Sequence, residues 1–250
     1  MGLKRITFTG LDETTPLEQL PEICENFPQF EIEWGVLFSL DNSANRYVHS
    51  EEFLKGIVSL QGIDGLKFAA HLCGKMARDF VSQPLKATPI GLTRAYQRLQ
   101  LNINFDRNPL ESLKDLNTNL RWFDDKTKII LQYNNANSNT VTRLLNEVNE
   151  ANYFDVLFDQ SGGRGKELDV VRAKNEMFNL VHNGDTSQIA YAGGINPDNV
   201  SDIVTQLEQL HGGRDYGIDM ESGVRNGHDF FDLNKVVHVL EKAQRATKRN

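Results

Sequence analysis

Apolar and polar residues alternate along eight short segments of this chain, and each segment is followed by a stretch with helical spacing. Alternation predicts half-buried strands, and apolar residues three or four positions apart predict amphipathic helices. The predicted strands cover residues 5–9, 32–39, 66–72, 99–105, 128–133, 154–158, 189–192 and 216–220. The predicted helices cover residues 16–24, 50–60, 75–81, 110–122, 141–148, 170–180, 200–210 and 233–243.

Strands that alternate with helices indicate parallel pairing, and eight such units in 250 residues match the size of a closed barrel. Residues 83–98 are the weakest part of the pattern and are expected to form a loop with a short helix. No linker-like or low-complexity stretch divides the sequence. We therefore expect an α/β protein with a single (β/α)8 TIM barrel domain over residues 1–250.

Charge and cysteine content exclude several classes of partner. The formal net charge of −7 and the pI near 5.4 argue against a nucleic-acid-binding protein. No run approaches the ~18 apolar residues of a membrane span, and no apolar signal region precedes the first strand. Cys24 and Cys73 form neither a CxxC pair nor a disulfide framework. We expect a cytoplasmic monomer or homodimer that binds a small phosphorylated molecule, with no nucleic acid and no membrane as partner.

One face of the predicted strands is unusually polar. Residues two apart share a face of a strand, and the apolar faces are expected to pack outward on the helices. The polar set would then point into the lumen: Thr7 and Thr9, Glu31 and Glu33, His71 and Cys73, Gln100, Asn102 and Asn104, Gln132 and Asn134, Asp155 and Asp159, Asp219 and Glu221. Buried without partners, such groups would each cost roughly 1–3 kcal/mol. Either they satisfy one another, or a ligand rich in hydroxyl or charged groups binds them.

Glu33 illustrates both alternatives. If Trp34 packs on the helices, Glu33 faces the lumen, either as a catalytic or substrate-binding carboxylate or as half of an ion pair with a residue such as Lys67 or Arg5.

Two loops near the end of the sequence are suited to a phosphate. Gly193 and Gly194 follow the seventh predicted strand, and a helix follows them, with Asn196 as the expected N-cap and Pro197 as its first residue. Glycines allow close approach of the backbone to a ligand, and a helix N-terminus attracts anions. The Ser222-Gly223 loop follows the next strand. Paired loops at this place commonly bind phosphate in barrels of this type.

Four segments resemble motifs of the phosphoribosylanthranilate isomerase family, barrel enzymes of tryptophan biosynthesis. These segments are NRYVHSEE at residues 45–52, LFDQSGGRGK at 157–166, AGGINPDNV at 192–200 and GIDMESGV at 217–224. They are similar to the family patterns SxRYVSxE, LLDS…GGTGK, AGGLxPxNV and GVDVSSGV. The strongest matches follow residue 154.

The resemblance implies an Amadori rearrangement of a phosphorylated aminosugar, with no cofactor and no metal. Such a reaction needs a general acid to open the furanose ring and a general base to take the C2 proton. The resemblance puts Asp159 in the position of the acid, Arg46 at an aromatic carboxylate, Asp219 among the lumen carboxylates and Gly163 in a substrate-contacting loop. It puts the phosphate at Gly193, Gly194, Ser222 and Gly223.

Two positions depart from the family pattern. The family's base is a cysteine at the end of strand one, where this chain has Thr9, and a threonine hydroxyl without a basic partner cannot take a carbon-bound proton. A family histidine at the end of strand four falls on Asn102. His71 and Cys73 are the expected substitutes for the base, although a core histidine and a buried thiol would give the same pattern.

These departures leave alternatives to an isomerase open. One is a phosphosugar lyase or epimerase of the same barrel group with a different base. Another is a barrel that still binds a phosphorylated ligand and has lost catalysis. Retained Asp159, Asp219 and Arg46 favour an enzyme, whereas Thr9 and Asn102 favour altered or absent chemistry.

Overall fold

A computed structural model describes residues 2–41, 44–82, 95–102, 104, 127–147, 154–159, 168–180 and 189–248. Eight parallel strands close a barrel in sequential order from β1 to β8. The strands are β1 (Leu3–Thr9), β2 (Glu31–Phe38), β3 (Lys67–Cys73), β4 (Arg98–Asn102), β5 (Lys128–Tyr133), β6 (Phe154–Asp159), β7 (Ile189–Ala192) and β8 (Tyr216–Met220). The (β/α)8 barrel predicted from the sequence is confirmed.

Helices follow the strands, as the periodicity predicts. Those in the described part of the chain are Leu20–Asn26, Glu51–Ser59, Gly74–Ser82, Ser138–Glu147, Val170–Leu180, Val200–His211 and Leu233–Thr247. Short 3-10 turns lie at Leu17–Gln19 and Ser222–Val224. The helix predicted at 110–122 and most of the loop predicted at 83–98 lie outside the described residues. None of the described helices is long and apolar enough to cross a membrane.

The outer faces of the strands form the main hydrophobic core. Ile6, Phe8, Trp34, Phe68 and Ile218 are at most 1% exposed and pack in one cluster with apolar residues of the helices. A smaller apolar cluster lies on the opposite face of neighbouring strands and contains Ile130, Leu157 and Ala190. The predicted division into an apolar outer face and a largely polar lumen is therefore correct.

The lower part of the lumen is filled by a buried ion network. Arg98 Nε lies 3.3 Å from Glu33 Oε2, and Arg98 Nη1 lies 3.2 Å from Asp155 Oδ2. Thr7 donates a 2.9 Å hydrogen bond to Glu33, and Arg5 lies 3.6 Å from Asp155. In this half of the barrel the buried charges neutralise one another, whereas the cavity that contains the predicted site residues opens at the other end of the strands.

Candidate active site

A cavity opens at the carboxyl ends of the strands, where barrel enzymes bind their substrates. Its volume, including the open entrance, is about 620 Å³. This volume is within the range of small-molecule binding sites. Its walls are mainly polar. They are formed by Thr9, Arg46, His71, Gln100, Asn102, Gln132, Leu157, Asp159, Ala192, Gly193, Gly194, Ile195, Asp219, Met220, Glu221 and Ser222.

Asp159 and Asp219 lie at one level on two sides of this cavity. Both are paired in register with Ala192 of the intervening strand β7. Two strand spacings separate their Cα atoms by about 10 Å. They are 4% and 7% exposed. The small side chain of Ala192 leaves space between them, and Gly193 follows directly above. A ligand can therefore contact both carboxyl groups while it reaches the glycine loop.

Asp219 is held by Thr9 of the neighbouring strand. The Thr9 hydroxyl donates a 2.8 Å hydrogen bond to Asp219 Oδ1. Burial raises the pKa of Asp219 to about 7, and the nearby carboxylates of Glu33 and Glu221 also raise it, whereas Thr9 and Arg98 act in the opposite direction. Asp219 is thus a carboxyl group that can gain or lose a proton near neutral pH.

Asp159 is oriented by strand β5, because Gln132 Nε2 donates a 2.7 Å hydrogen bond to Asp159 Oδ2.

His71 lies on the opposite wall, close to Thr9. The two are separated only by Gly35 of β2, where an added Cβ would lie 2.7 Å from Thr9 Oγ1 and 3.1 Å from His71 Nε2. His71 is 1% exposed, and neither ring nitrogen has a hydrogen-bond partner among the described residues. Burial and the positive charge of Arg98 lower the pKa of His71 to about 3. The neutral ring can donate one hydrogen bond and accept another.

Cys73 does not line the cavity, although it shares a strand face with His71. Its Sγ accepts a 3.3 Å hydrogen bond from Asn102 Nδ2, and Gln100 donates to Asn102 Oδ1 at 2.6 Å. Burial raises the pKa of the Cys73 thiol to about 12. The thiol is therefore protonated at neutral pH, and it lies behind Asn102 rather than in the cavity wall.

Glu33 also lies away from the cavity. In the register of β1 and β2 it is paired with Thr7, one full side-chain repeat below the pair of Thr9 and Gly35. Its expected ion pair is present, but its partner is Arg98 rather than Lys67 or Arg5. A substrate contact at Glu33 stays a prediction, and the structure places its carboxylate below the cavity, beside Arg98.

The glycine loops meet at one side of the cavity. Gly193 and Gly194 have φ angles of 131° and 60°, which side chains disfavour. An added Cβ at Gly223 would lie 2.0 Å from the carbonyl oxygen of Ile195. A glycine at 223 therefore allows the Ser222 turn to pack directly against the loop after β7.

The asparagines after Gly194 brace this loop. Asn196 Nδ2 and Asn199 Nδ2 each donate a 2.9 Å hydrogen bond to the Gly194 carbonyl oxygen. Asn196 Oδ1 accepts from Asp198 N, so residues 197–199 form a turn and the helix begins at Val200. The prediction of Asn196 as N-cap and Pro197 as first helical residue is therefore wrong: Asn199 is the N-cap.

Arg46 reaches the cavity from the segment after β2. Val48 N bonds to the Leu37 carbonyl oxygen at 3.1 Å and so ties this segment to the strand. Arg46 Nη1 lies 2.5 Å from Glu221 Oε1, and Nη2 lies 2.8 Å from Asp229 Oδ1. The guanidinium predicted to bind a substrate carboxylate is thus already paired with two protein carboxylates.

A buried ion pair joins the loop after the first strand to the loop after the last strand. Arg225 Nη2 lies 2.8 Å from Asp12 Oδ2, and Arg225 also donates to the Gly10 carbonyl oxygen. Arg225 Nε bonds to Asp229, which has a φ of 61°. The sequence offered no signal for these contacts, because Asp12 and Arg225 are 213 positions apart.

The structure brings together most of the residues predicted for the site. Thr9, Arg46, His71, Asn102, Asp159, Gly193, Gly194, Asp219 and Ser222 line one cavity, and Gly223 packs behind it. Gly163 lies outside the described residues. Among the residues that are described, no group of three or more His, Cys, Asp or Glu side chains could hold a metal ion.

Comparisons with known proteins point to one family. The family model for N-(5'phosphoribosyl)anthranilate (PRA) isomerase matches residues 117–242, half of the chain. N-(5'-phosphoribosyl)anthranilate isomerase of Microcystis aeruginosa is 43% identical over 54 residues, which span 22% of this chain and 23% of that protein.

Solved structures of similar fold extend over nearly the whole chain. Phosphoribosyl anthranilate isomerase of Thermotoga maritima has a TM-score of 0.59 and 15% identity, over 97% of this chain and 100% of that one. TrpF of Jonesia denitrificans has a TM-score of 0.56 and 15% identity, over 99% of this chain and 100% of that one. At this identity the structures show a common barrel fold, and the family model adds the relationship in sequence. The chain belongs to the N-(5'-phosphoribosyl)anthranilate isomerase family.

Proposed function

We propose that this protein is an aldose–ketose isomerase that converts phosphoribosylanthranilate, a phosphorylated aminosugar, by an Amadori rearrangement. The observation that supports this most strongly is the arrangement of Asp159 and Asp219 on two sides of one cavity, level with Ala192 and directly below the glycine loop. An internal rearrangement of a sugar needs one acid and one base on either side of the reacting carbons. Family membership supplies the substrate.

The first step opens the furanose ring. Asp159 would donate a proton to the ring oxygen as the bond from that oxygen to C1 breaks. The nitrogen lone pair forms the C1=N bond of a protonated Schiff base. Gln132, which donates to Asp159 Oδ2, orients the carboxyl group for this transfer.

The second step moves a proton from C2. When a base takes it, the C2–H electron pair forms a C1=C2 bond and the C1=N electron pair moves to nitrogen. The resulting enol then loses its hydroxyl proton while C1 gains one, which gives the ketose. Atoms and electrons balance within the substrate, so the step needs no oxidant, cofactor or metal.

The two ends of the substrate would be bound at opposite sides of the cavity. Backbone N–H groups of the Gly193-Gly194 and Ser222-Gly223 loops would bind the phosphate. Arg46 would bind the anthranilate carboxylate through its planar guanidinium. Its present partners Glu221 and Asp229 are 32% and 45% exposed, so a substrate carboxylate can replace one of them without burying an unpaired charge.

The proposal includes the setting of the reaction. The enzyme would work as one barrel domain, as a monomer or homodimer in the cytoplasm, on a small phosphorylated substrate and without nucleic acid. Both cysteines are free thiols in the structure, which is compatible with a reducing compartment.

The test is conversion of phosphoribosylanthranilate by the purified protein, with the ketose product identified by chromatography and mass spectrometry. The unmodified protein should form the product, and Asp159→Asn should lower kcat by roughly 10²–10⁴-fold. Inorganic phosphate should raise the Tm of both proteins equally. If the substrate raises the Tm but no product forms, the protein is a binding barrel and the proposal is wrong.

A further inference from the structure

The base for the C2 proton is missing from its family position, because Thr9 stands there. In the structure the Thr9 hydroxyl is itself a hydrogen-bond donor to Asp219. A hydroxyl that donates its proton to a carboxylate remains protonated, so Thr9 cannot remove a proton from carbon. Another group of the cavity has to do so.

Of the two substitutes expected from the sequence, neither is suited to the task. Cys73 does not line the cavity and is bound to Asn102. His71 lines the cavity, but its burial beside Arg98 makes its imidazole a weak base, with its pKa lowered to about 3. A general base works best when its pKa lies near the operating pH.

We propose that Asp219 is the general base for C2, held by Thr9, and that it replaces the strand-one cysteine of the family. This inference rests on the proposed function. Asp219 lines the cavity and lies on β8, the barrel neighbour of β1, so its carboxylate reaches the region where the end of β1 would present a base. Thr9 binds Oδ1, and Oδ2 accepts no hydrogen bond from the described residues.

The step needs no further reagent. Asp219 accepts the C2 proton, the C2–H pair becomes the C1=C2 bond, and the C1=N pair returns to nitrogen. Asp219 then holds the proton that the enol requires at C1. Asp159, across Ala192, has by then given its proton to the ring oxygen, so its carboxylate can accept the hydroxyl proton that the enol loses. Both carboxyl groups then return to their starting states.

The surroundings of Asp219 determine its pH dependence. Charged or titratable groups near it are Glu33 and Arg98 below, Glu221 above on the same strand, and Asp159 and His71 across the cavity. Burial and the two glutamates favour the protonated form, whereas Arg98 and the Thr9 hydrogen bond favour the carboxylate. The acidic limb of the kcat/KM profile is therefore expected near pH 7.

The test measures kcat/KM for phosphoribosylanthranilate against pH in the unmodified protein and in three variants. Asp219→Asn should lose activity by roughly 10²–10⁴-fold while phosphate still raises its Tm as in the unmodified protein. In Thr9→Val the valine side chain has the shape of threonine but no hydrogen-bond donor for Asp219, so the acidic limb of the kcat/KM profile should move to higher pH. A purely structural role of Thr9 would lower activity equally at every pH. Cys73→Ala should match the unmodified protein.

Two results separate the possible failures. If the unmodified protein forms product and Asp219→Asn keeps more than a tenth of its activity, Asp219 is not the base and the isomerase assignment stands. If the unmodified protein forms no product, the proposed function is overturned together with this inference. An acidic limb that does not move in Thr9→Val would show that the limb does not report Asp219.

Discussion

The substitution Gly223→Ala tests whether the two glycine loops form the phosphate site. An alanine Cβ at this position would lie 2.0 Å from the Ile195 carbonyl oxygen and 2.9 Å from the Asn196 Cβ. Because the closest neighbour is backbone, a side-chain rotation cannot relieve the contact, and the loops must separate by about 1 Å or more to reach an ordinary van der Waals distance.

A separation of that size is enough to break phosphate contacts. A hydrogen bond of about 2.9 Å would lengthen to about 3.9 Å, beyond useful range. A hydrogen bond to a charged group contributes about 1.5–3 kcal/mol. Loss of one such bond corresponds to a rise in Kd of about 10–150-fold. We expect this rise in the Kd for inorganic phosphate and in the KM for the phosphorylated substrate.

The assay is titration calorimetry with phosphate, combined with steady-state kinetics. Gly227→Ala is the matched control: it lies four residues later, and an added Cβ there meets nothing within 4 Å. Circular dichroism and Tm should show that both variants retain the barrel. If Gly223→Ala binds phosphate as tightly as Gly227→Ala, the loops do not hold the phosphate and the site has been placed wrongly.

Three further predictions concern buried charges. Arg225→Gln leaves Asp12 without its buried cationic partner and should lower the free energy of unfolding by about 3–5 kcal/mol, measured by denaturant unfolding, while Arg245→Gln on an exposed helix should change it by less than about 0.5 kcal/mol. The pKa of Asp219 in the folded protein, raised to about 7, exceeds its value in the unfolded chain. Asp219 therefore stabilises the fold at low pH, and this contribution is lost as pH rises through 7. Asp219→Asn should raise the Tm more at pH 8 than at pH 4. Asp159→Asn should abolish ring opening without a change in phosphate affinity, which a phosphate titration checks.

Periodicity was sufficient to predict the barrel because each strand separates an apolar outer face from a polar lumen. The bounds of Lys128–Tyr133, Ile189–Ala192 and Tyr216–Met220 agree with the prediction. The first strand, however, begins at Leu3, two residues before its predicted start at residue 5. Alternation records which face a residue occupies and contains no information on where hydrogen bonding stops.

The site was predicted only in part, for a related physical reason. Glu33 shares the lumen face with catalytic positions, but it lies lower along the barrel axis, where Arg98 neutralises it. Cys73 shares a face with His71 and yet lies outside the cavity. Height in the barrel and contacts between distant loops, such as Arg46 with Glu221, depend on strand register and loop packing, which a single sequence does not contain.

The pKa values of the lumen groups depend on the same three-dimensional information. From the sequence, His71 was one of two candidate bases, together with Cys73, because an unperturbed imidazole titrates near neutral pH. Complete burial beside Arg98 lowers its pKa, whereas burial beside Glu33 and Glu221 raises that of Asp219. The pKa of Asp219 therefore lies closer to neutral pH than that of His71.

The most direct test follows the C2 hydrogen itself. Phosphoribosylanthranilate deuterated at C2 is incubated in ordinary water with the unmodified protein and with Asp219→Asn. The ketose formed is measured, together with the deuterium that has left C2, whether it is found at C1 of the ketose or in the solvent. Our account predicts product formation with loss of C2 deuterium by the unmodified protein, and neither by Asp219→Asn at pH 8. Equal loss of deuterium and equal product formation by the two proteins would contradict it.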